Sequence, residues 1–323
     1  MIISRETLVS ESNKTGFRPE ILEKVIRLMD LLNEFSNHDF LKSRIALKGG
    51  TGLNLFYFDL PRLSVDIDLN YVGSHDREIM LAERPEILST IEDLFSRKNY
   101  QTMRQPSEHA GGKWSVSYKS ELVQSARLEV DLNFIARVPL WPISILDSIK
   151  IGSYQAKSVA VLDYYDLMGG KLCALFARHK SRDLFDTYAF FKDTKKIDVK
   201  KLKLALIIYG AAARIDLRKI TLEHLNFDPN DLKNMLIPVL RKTEIQESSE
   251  IRAWASQLIN SCKVSLAEVI NFNASELEFL GRIIEQGDLV PELLTDDQNL
   301  IDLIKLNPAI QWKCLNIKQH KAK

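Results

Sequence analysis

Apolar residues recur at helical spacing through Ile21, Val25, Leu28, Leu32 and Phe35, and Arg18-Pro19 marks the predicted start of that helix. The first forty residues read as helical throughout. The texture changes at Arg44. Ile45-Ala46-Leu47 is a short apolar run ending in Gly49-Gly50, and Thr51 to Tyr57 reads as a short helix stopped by Asp59-Leu60-Pro61. From Ser64 to Tyr71 apolar and polar residues alternate, which predicts a strand. Residues 77–98 read as helix. Lys113–Tyr118 and Arg127–Ile135 alternate again, and the short polar turn between them predicts a hairpin. Beyond Asp163, a good N-cap for a helix over Tyr164–Arg178, the pattern is almost wholly helical, with further helices over 199–212, 230–242, 248–262, 274–286 and 297–306. The pattern predicts an α/β (α+β) protein: a small mixed-sheet domain with N-terminal helices over residues 1–160, then an all-helical domain over 161–323.

Composition adds limits. The 323 residues are 45% hydrophobic and 27% charged, enough for two folded domains. A formal net charge of +1 gives no global attraction to nucleic acid, so any RNA-binding surface must be local. Lys192, Lys195, Lys196, Lys200, Lys201 and Lys203 form such a local run, and Lys318, Lys321 and Lys323 another. Runs of this kind are usually solvated faces, but beside a cleft they track an RNA backbone. Three widely spaced cysteines without a CxxC predict neither a disulfide framework nor a zinc ribbon, and fit a reducing compartment. The N-terminus has no apolar signal core and no run approaches the ~18 apolar residues of a membrane span, so the expected compartment is the cytoplasm, with no membrane partner. The histidines, including His75, His109 and His179, show no metal-ligand spacing, and neither a GxSxG nor a Walker A motif occurs.

The candidate chemistry lies in Lys48-Gly49-Gly50-Thr51, followed after fourteen residues by Asp66-Ile67-Asp68. On a strand, Asp66, Asp68 and Asn70 share one side while Val65, Ile67, Leu69 and Tyr71 share the other. Two carboxylates on one side repel each other unless a hard divalent cation, Mg²⁺ or Mn²⁺, neutralises them and leaves coordination sites for phosphate. Gly49 and Gly50 allow close backbone approach, and Thr51 offers a hydroxyl donor to phosphate at the start of the following helix. A third carboxylate is expected on Arg127–Ile135, where Glu129 and Asp131 point to the same side; Asp131, between Val130 and Leu132, is preferred. The rival reading of each aspartate is an ordinary polar-face residue. Ser64 falls on the carboxylate side of the predicted strand; it is a polar strand residue or, beside an NTP, a nucleotide-binding and regulatory position where a phosphate would impair binding.

The stretches Leu47–Leu53 and Arg62–Leu69, with Lys171-Leu172-Cys173-Ala174-Leu175 and Arg182-Asp183-Leu184-Phe185-Asp186 further on, resemble the AbiEii/AbiGii toxin family of the DNA polymerase β-like nucleotidyltransferase superfamily. The resemblance covers roughly residues 40 to 190; Gly52 departs from it, standing where relatives often carry alanine. It implies a nucleotidyltransferase-like sheet domain followed by helices, in a toxin of a toxin–antitoxin pair. Such a toxin transfers NMP from an NTP to the 3′ end of tRNA and blocks translation, and a separately encoded antitoxin opposes it. By motif position Gly49, Gly50 and Thr51 would hold phosphate, Asp66 and Asp68 would bind metal, and Asp131 would be the third carboxylate.

The resemblance also makes Lys171 a catalytic and nucleotide-binding candidate, with Arg178, Arg182, Asp183 and Asp186 as further candidates. If one helix runs through Ser181, Lys171, Arg178 and Arg182 share a narrow sector; alternatively Ser181 caps a second helix. Gly169-Gly170 inside a helix calls for close packing or substrate approach. Two rivals remain: transfer to a protein or small-molecule hydroxyl, which an acceptor assay separates, and a non-catalytic binding protein retaining the fold, whose cellular effect would survive Asp66→Ala.

Overall fold

The computed structural model describes residues 3–105, 111–193, 196–242 and 248–321, so His109, Lys195 and Lys323 lie outside the described residues. The chain forms two compact units, each discontinuous in sequence. Unit 1 comprises Met1–Arg137, Pro142–Leu162 and Ile237–Gln246; unit 2 comprises Val138–Trp141, Asp163–Leu236 and Glu247–Lys323.

Unit 1 is built on a mixed sheet. Its strands are β1 (Ile45–Lys48), β2 (Asp66–Tyr71), β3 (Gln101–Gln105), β4 (Gly111–Tyr118), β5 (Ala126–Asn133), β6 (Ser144–Leu146) and β7 (Val159–Val161), in spatial order β3-β4-β5-β2-β1-β7-β6. β2 runs parallel to β5 and antiparallel to β1; β4 and β5 form the predicted antiparallel hairpin. Alternation decides which way each strand faces. Ile67 and Leu69 of β2, Leu128, Val130 and Leu132 of β5, and Trp114 and Val116 of β4 are all buried. Helices α1 (Arg5–Thr15) and α2 (Pro19–Asn37) precede the sheet, and α4 (Arg77–Arg97) follows β2. α2 starts where Arg18-Pro19 predicts, Pro19 sitting in the first turn where its missing N–H costs nothing. It buries Leu22, Val25, Leu28, Leu32 and Phe35. Phe95 of α4 meets Phe35 and Trp114 edge-on, with ring centroids 6.3 and 6.0 Å apart, so both helices cover the apolar face of the sheet.

The opposite face holds the glycine turn. The predicted helix after Gly49-Gly50 is α3 (Gly49–Gly52), continuing as a single π turn over Leu53–Tyr57. β2 begins at Asp66, two residues later than the alternation suggests. Leu63 N–H donates instead to Val239 O (2.9 Å), so the chain joins the ladder only where β5 can pair with it, Asp66 opposite Glu129. β5 stops at Asn133 because the Asn133 side-chain oxygen accepts the N–H groups of Ile135 and Ala136, turning the backbone out of the ladder.

Unit 2 is helical: α5 (Tyr164–Arg178), α6 (Ser181–Lys192), α7 (Val199–Ala212), α8 (Pro229–Asp231), α9 (Ser248–Leu266), α10 (Ala274–Gly281), α11 (Gln298–Leu306) and α12 (Pro308–Lys321). Asp163 caps α5 by accepting Tyr165 N–H, as its sequence position predicts. Gly169 lets α5 press against α7: a β-carbon there would lie 2.6 Å from Ala205 Cβ and 2.8 Å from the Ala205 carbonyl carbon. The helix expected over 230–242 is broken into α8, a π turn over Leu232–Leu236 and a 3₁₀ turn over Ile237–Val239, because Pro238 has no N–H to continue the ladder. Cys173, Cys262 and Cys314 are buried free thiols. No helix among the described residues is long and apolar enough to cross a membrane.

Candidate active site

Strand register assembles the site. Lys48 of β1 stands opposite Asp68 of β2, Asp68 opposite Asp131 of β5, and Asp131 opposite Lys113 of β4. Two lysines thus bracket two aspartates in one row across four adjacent strands. In the neighbouring row Asp66 stands opposite Glu129. All six lie on the sheet face opposite the buried apolar residues, since side chains alternate along each strand.

The glycine turn is fitted against this row. Gly49 has φ 73°, a left-handed conformation that an L side chain rarely adopts. A β-carbon there would lie 3.1 Å from Cβ and Cγ of Asp68 and closer still to its Oδ2. Glycine is therefore required twice, by the backbone angle and by the Asp68 carboxylate. Gly50 and Thr51 are buried, and no side chain caps the start of α3. The Thr51 hydroxyl donates to the main-chain carbonyl of Asp66 at 2.5 Å, tying the turn to the head of β2. Ser64 is buried at 5% exposure just ahead of the strand.

Electrostatics follow from the rows. Burial pushes the Asp131 carboxyl up from its ordinary value; Lys48 and Lys113 pull it back down, while Asp68 and Glu129 push it further up. Lys113 ion-pairs with Glu129 at 2.7 Å, and that bond, with the fields of Asp131 and Asp66, raises its pKa against a smaller burial effect. Among the described residues no three His, Cys, Asp or Glu side chains converge into a metal-ligating group as they stand. The donor chemistry nevertheless suits a hard cation: Asp66, Asp68 and Asp131 offer only carboxylate oxygens, from adjacent strands.

Unit 2 gathers the second motif. Lys171, buried on α5, ion-pairs with Asp183 at 3.0 Å and Asp186 at 2.9 Å, both buried on α6. Arg178 adds a bond to Asp183 at 2.8 Å. Burial pushes the Asp183 carboxyl up, but Lys171 and Arg178 outweigh it and hold it below the usual range. α5 ends at Arg178 because His179 turns left-handed at φ 52°. A new helix then starts at Ser181, whose N–H and hydroxyl both donate to Asp231, and Arg182 falls in its first turn. Of the two geometries open at the sequence level, the structure has the second, with Lys180 rather than Ser181 at the cap. The basic run is partly engaged: Lys201 lies 4.4 Å from the Trp141 ring centroid and 4.7 Å from that of Tyr165, and Lys203 donates to Asn271 O.

Lys48 and Lys113 are members of this face that the sequence pattern does not single out. Lys113 lies on an alternating strand and Lys48 ends a short apolar run, but their partners follow from strand register, which neither pattern fixes.

A mixed sheet carrying carboxylates on adjacent strands beside a glycine turn is the arrangement of a nucleotidyltransferase. The family described as "Nucleotidyl transferase AbiEii toxin, Type IV TA system" matches residues 30–256, and the chain belongs to that family. It is a nucleotidyltransferase toxin of a type IV toxin–antitoxin system. Among solved structures the fold is similar to that of MenT4, a nucleotidyltransferase toxin from Mycobacterium tuberculosis. The TM-score is 0.63 at 14% identity, over 95% of this chain and 99% of that one. No curated protein sequence matches the chain.

Proposed function

We propose that the chain transfers a nucleoside monophosphate from an NTP to the 3′ end of tRNA and so blocks translation in the cytoplasm, and that a separately encoded antitoxin protein neutralises it. One observation carries the transfer reading: register sets Asp68 beside Asp131 and against the Gly49 turn, in a chain of this family. The acceptor hydroxyl attacks the α-phosphate of the NTP. A bond forms from the acceptor oxygen to that phosphorus, and the bond to pyrophosphate breaks. Asp131, whose proton affinity burial raises, takes the hydroxyl proton. Main-chain N–H groups of Gly49, Gly50 and Thr51 hold phosphate oxygens; Thr51 acts through its N–H because its hydroxyl is engaged by Asp66.

Asp66, Asp68 and Asp131 would hold the divalent cation, Mg²⁺ or Mn²⁺. Once bound, that ion neutralises the carboxylates and polarises the transferring phosphate. Lys171 is assigned to nucleotide binding and catalysis from the family motif alone; Asp183 and Asp186 fix its ammonium, Arg178 also bonds Asp183, and Arg182 is a further residue carried over from that motif.

Incubation of the chain with α-labelled NTPs and total tRNA, beside protein and small-molecule hydroxyl acceptors, tests the acceptor. Label on tRNA alone supports the reading. Label on another acceptor and none on tRNA removes tRNA as the substrate and leaves the transfer chemistry standing.

A further inference from the structure

Unit 1 also holds a recess lined by positive charge. Arg18, Ile237, Leu240, Arg241 and Lys242 line a recess of about 150 Å³. Among the described lining residues three are cationic and none is acidic. Among the described residues, none of the three cations has a carboxylate partner.

The walls are held in place. The Arg241 guanidinium donates to Thr15 O at 2.7 Å and to Leu60 O at 3.3 Å, and lies 4.6 Å from the Phe17 ring centroid. Those bonds use two of the five N–H donors that a guanidinium carries, so the fork keeps donors for a ligand. Lys242 N–H donates to Gly16 O at 2.8 Å, closing the 237–242 segment onto the α1–α2 connection. Arg18 is the N-cap residue of α2, and no side chain caps that helix, so its positive end adds to the same field. Ile237 and Leu240 add apolar lining, and an apolar surrounding strengthens a charge-assisted hydrogen bond made beside it.

We propose that this recess binds a phosphoryl group, at a site separate from the NTP-holding turn. Three cations around one pocket, one of them a pre-positioned guanidinium, match a tetrahedral oxyanion better than a planar carboxylate, which a single arginine satisfies. The same chemistry recognises a free phosphate monoester and a phosphodiester of an RNA strand. The site also joins the catalytic strand by a short path. Val239 accepts Leu63 N–H at 2.9 Å, and Leu63 precedes Asp66 by three residues. The proposal does not depend on tRNA being the acceptor.

The test is calorimetric titration of the full chain, without NTP, using inorganic phosphate and, separately, a single-stranded RNA oligonucleotide lacking terminal phosphates. Wild type is compared with Arg18→Gln/Lys242→Gln and with Asp66→Ala/Asp68→Ala. Arg241 is left intact because it holds Thr15 and Leu60. The Arg18/Lys242 variant should bind inorganic phosphate about tenfold more weakly, with an unchanged melting midpoint, and the Asp66/Asp68 variant should bind it as wild type does. A matching loss for the oligonucleotide assigns the recess to an RNA backbone, and its affinity should then fall with salt. A loss for inorganic phosphate alone assigns it to a free phosphate ligand. Equal binding of phosphate by wild type and the Arg18/Lys242 variant, or no phosphate binding by wild type, overturns the proposal.

Discussion

Alanine at position 49 would put a methyl group where the Asp68 carboxylate now sits, on a backbone at φ 73°. The left-handed angle alone costs an L residue about 1–2 kcal/mol. The contact adds to that, since a β-carbon would stand 3.1 Å from Asp68 Cβ and Cγ and closer to Oδ2, so the carboxylate must swing aside. A total of about 1–3 kcal/mol corresponds to a melting midpoint lowered by roughly 2–4 °C per kcal/mol in a unit of this size. The larger effect falls on activity. Asp68 stands in the row between Lys48 and Asp131, and misplacing a reacting group by about 1 Å can cost about 100-fold in rate. Gly49→Ala should therefore melt measurably lower and lose transfer by a larger factor than its stability loss explains. A variant that melts within about 1 °C of wild type and transfers nucleotide at full rate would refute the reasoning, because glycine would then be required neither by the angle nor by Asp68.

Lys171→Met leaves Asp183 and Asp186 buried without the lysine, and should destabilise unit 2 by about 3–5 kcal/mol in urea unfolding. Lys171→Met/Asp183→Asn/Asp186→Asn should recover part of that loss, and no recovery would mean that the ion pairs are not the cause. Burial raises the Asp166 carboxyl to about 7, against the N–H groups of Leu140 and Trp141 and the Tyr209 hydroxyl, which pull it down. A raised folded pKa favours folding most below the unfolded value, so this contribution should fade as pH rises from about 4 to about 7, by up to about 1.4 kcal/mol per pH unit. The difference in stability between wild type and Asp166→Asn should slope across that window, and a flat difference would contradict the assignment. Asp183, held low, works in the opposite direction and only at more acid pH, where its stabilisation is lost as it protonates. Lys113→Ala removes one of the two cations that pull Asp131 down, so the acid limb of the transfer rate should move to higher pH; an unmoved limb would separate Asp131 from the titrating step.

Much of this architecture is legible where burial imposes a period. β2 and β5 show it because Ile67, Leu69, Val130 and Leu132 are buried while the aspartates between them are only half-buried. β3 is hidden because Gln101–Gln105 is an exposed edge strand with no apolar face to alternate. β6 and β7 are three residues each, too short to carry a pattern. The segment 230–242 misleads because its apolar spacing continues through Pro238, whose backbone cannot. At the site, the sequence marks Asp66, Asp68 and Asp131 by residue type and side. It does not mark Lys48 or Lys113 as their neighbours, because alternation sets the side of a residue and leaves the register of β1 on β2 and of β4 on β5 open; the β2–β5 pairing that sets Asp68 beside Asp131 joins residues some sixty positions apart. The Thr51 hydroxyl bond to Asp66 is equally a product of that tertiary arrangement, and it changes which atom of Thr51 remains for phosphate.

The most direct test of the central claim is transfer of label from each α-labelled NTP to total tRNA, with Mg²⁺ present, by wild type and by Asp66→Ala/Asp68→Ala under conditions where both are folded. The account predicts labelled tRNA with wild type alone, with the preferred nucleotide read from which NTP supplies the label. Equal labelling by the double variant would contradict it, because the carboxylate face would then not be where the transfer takes place.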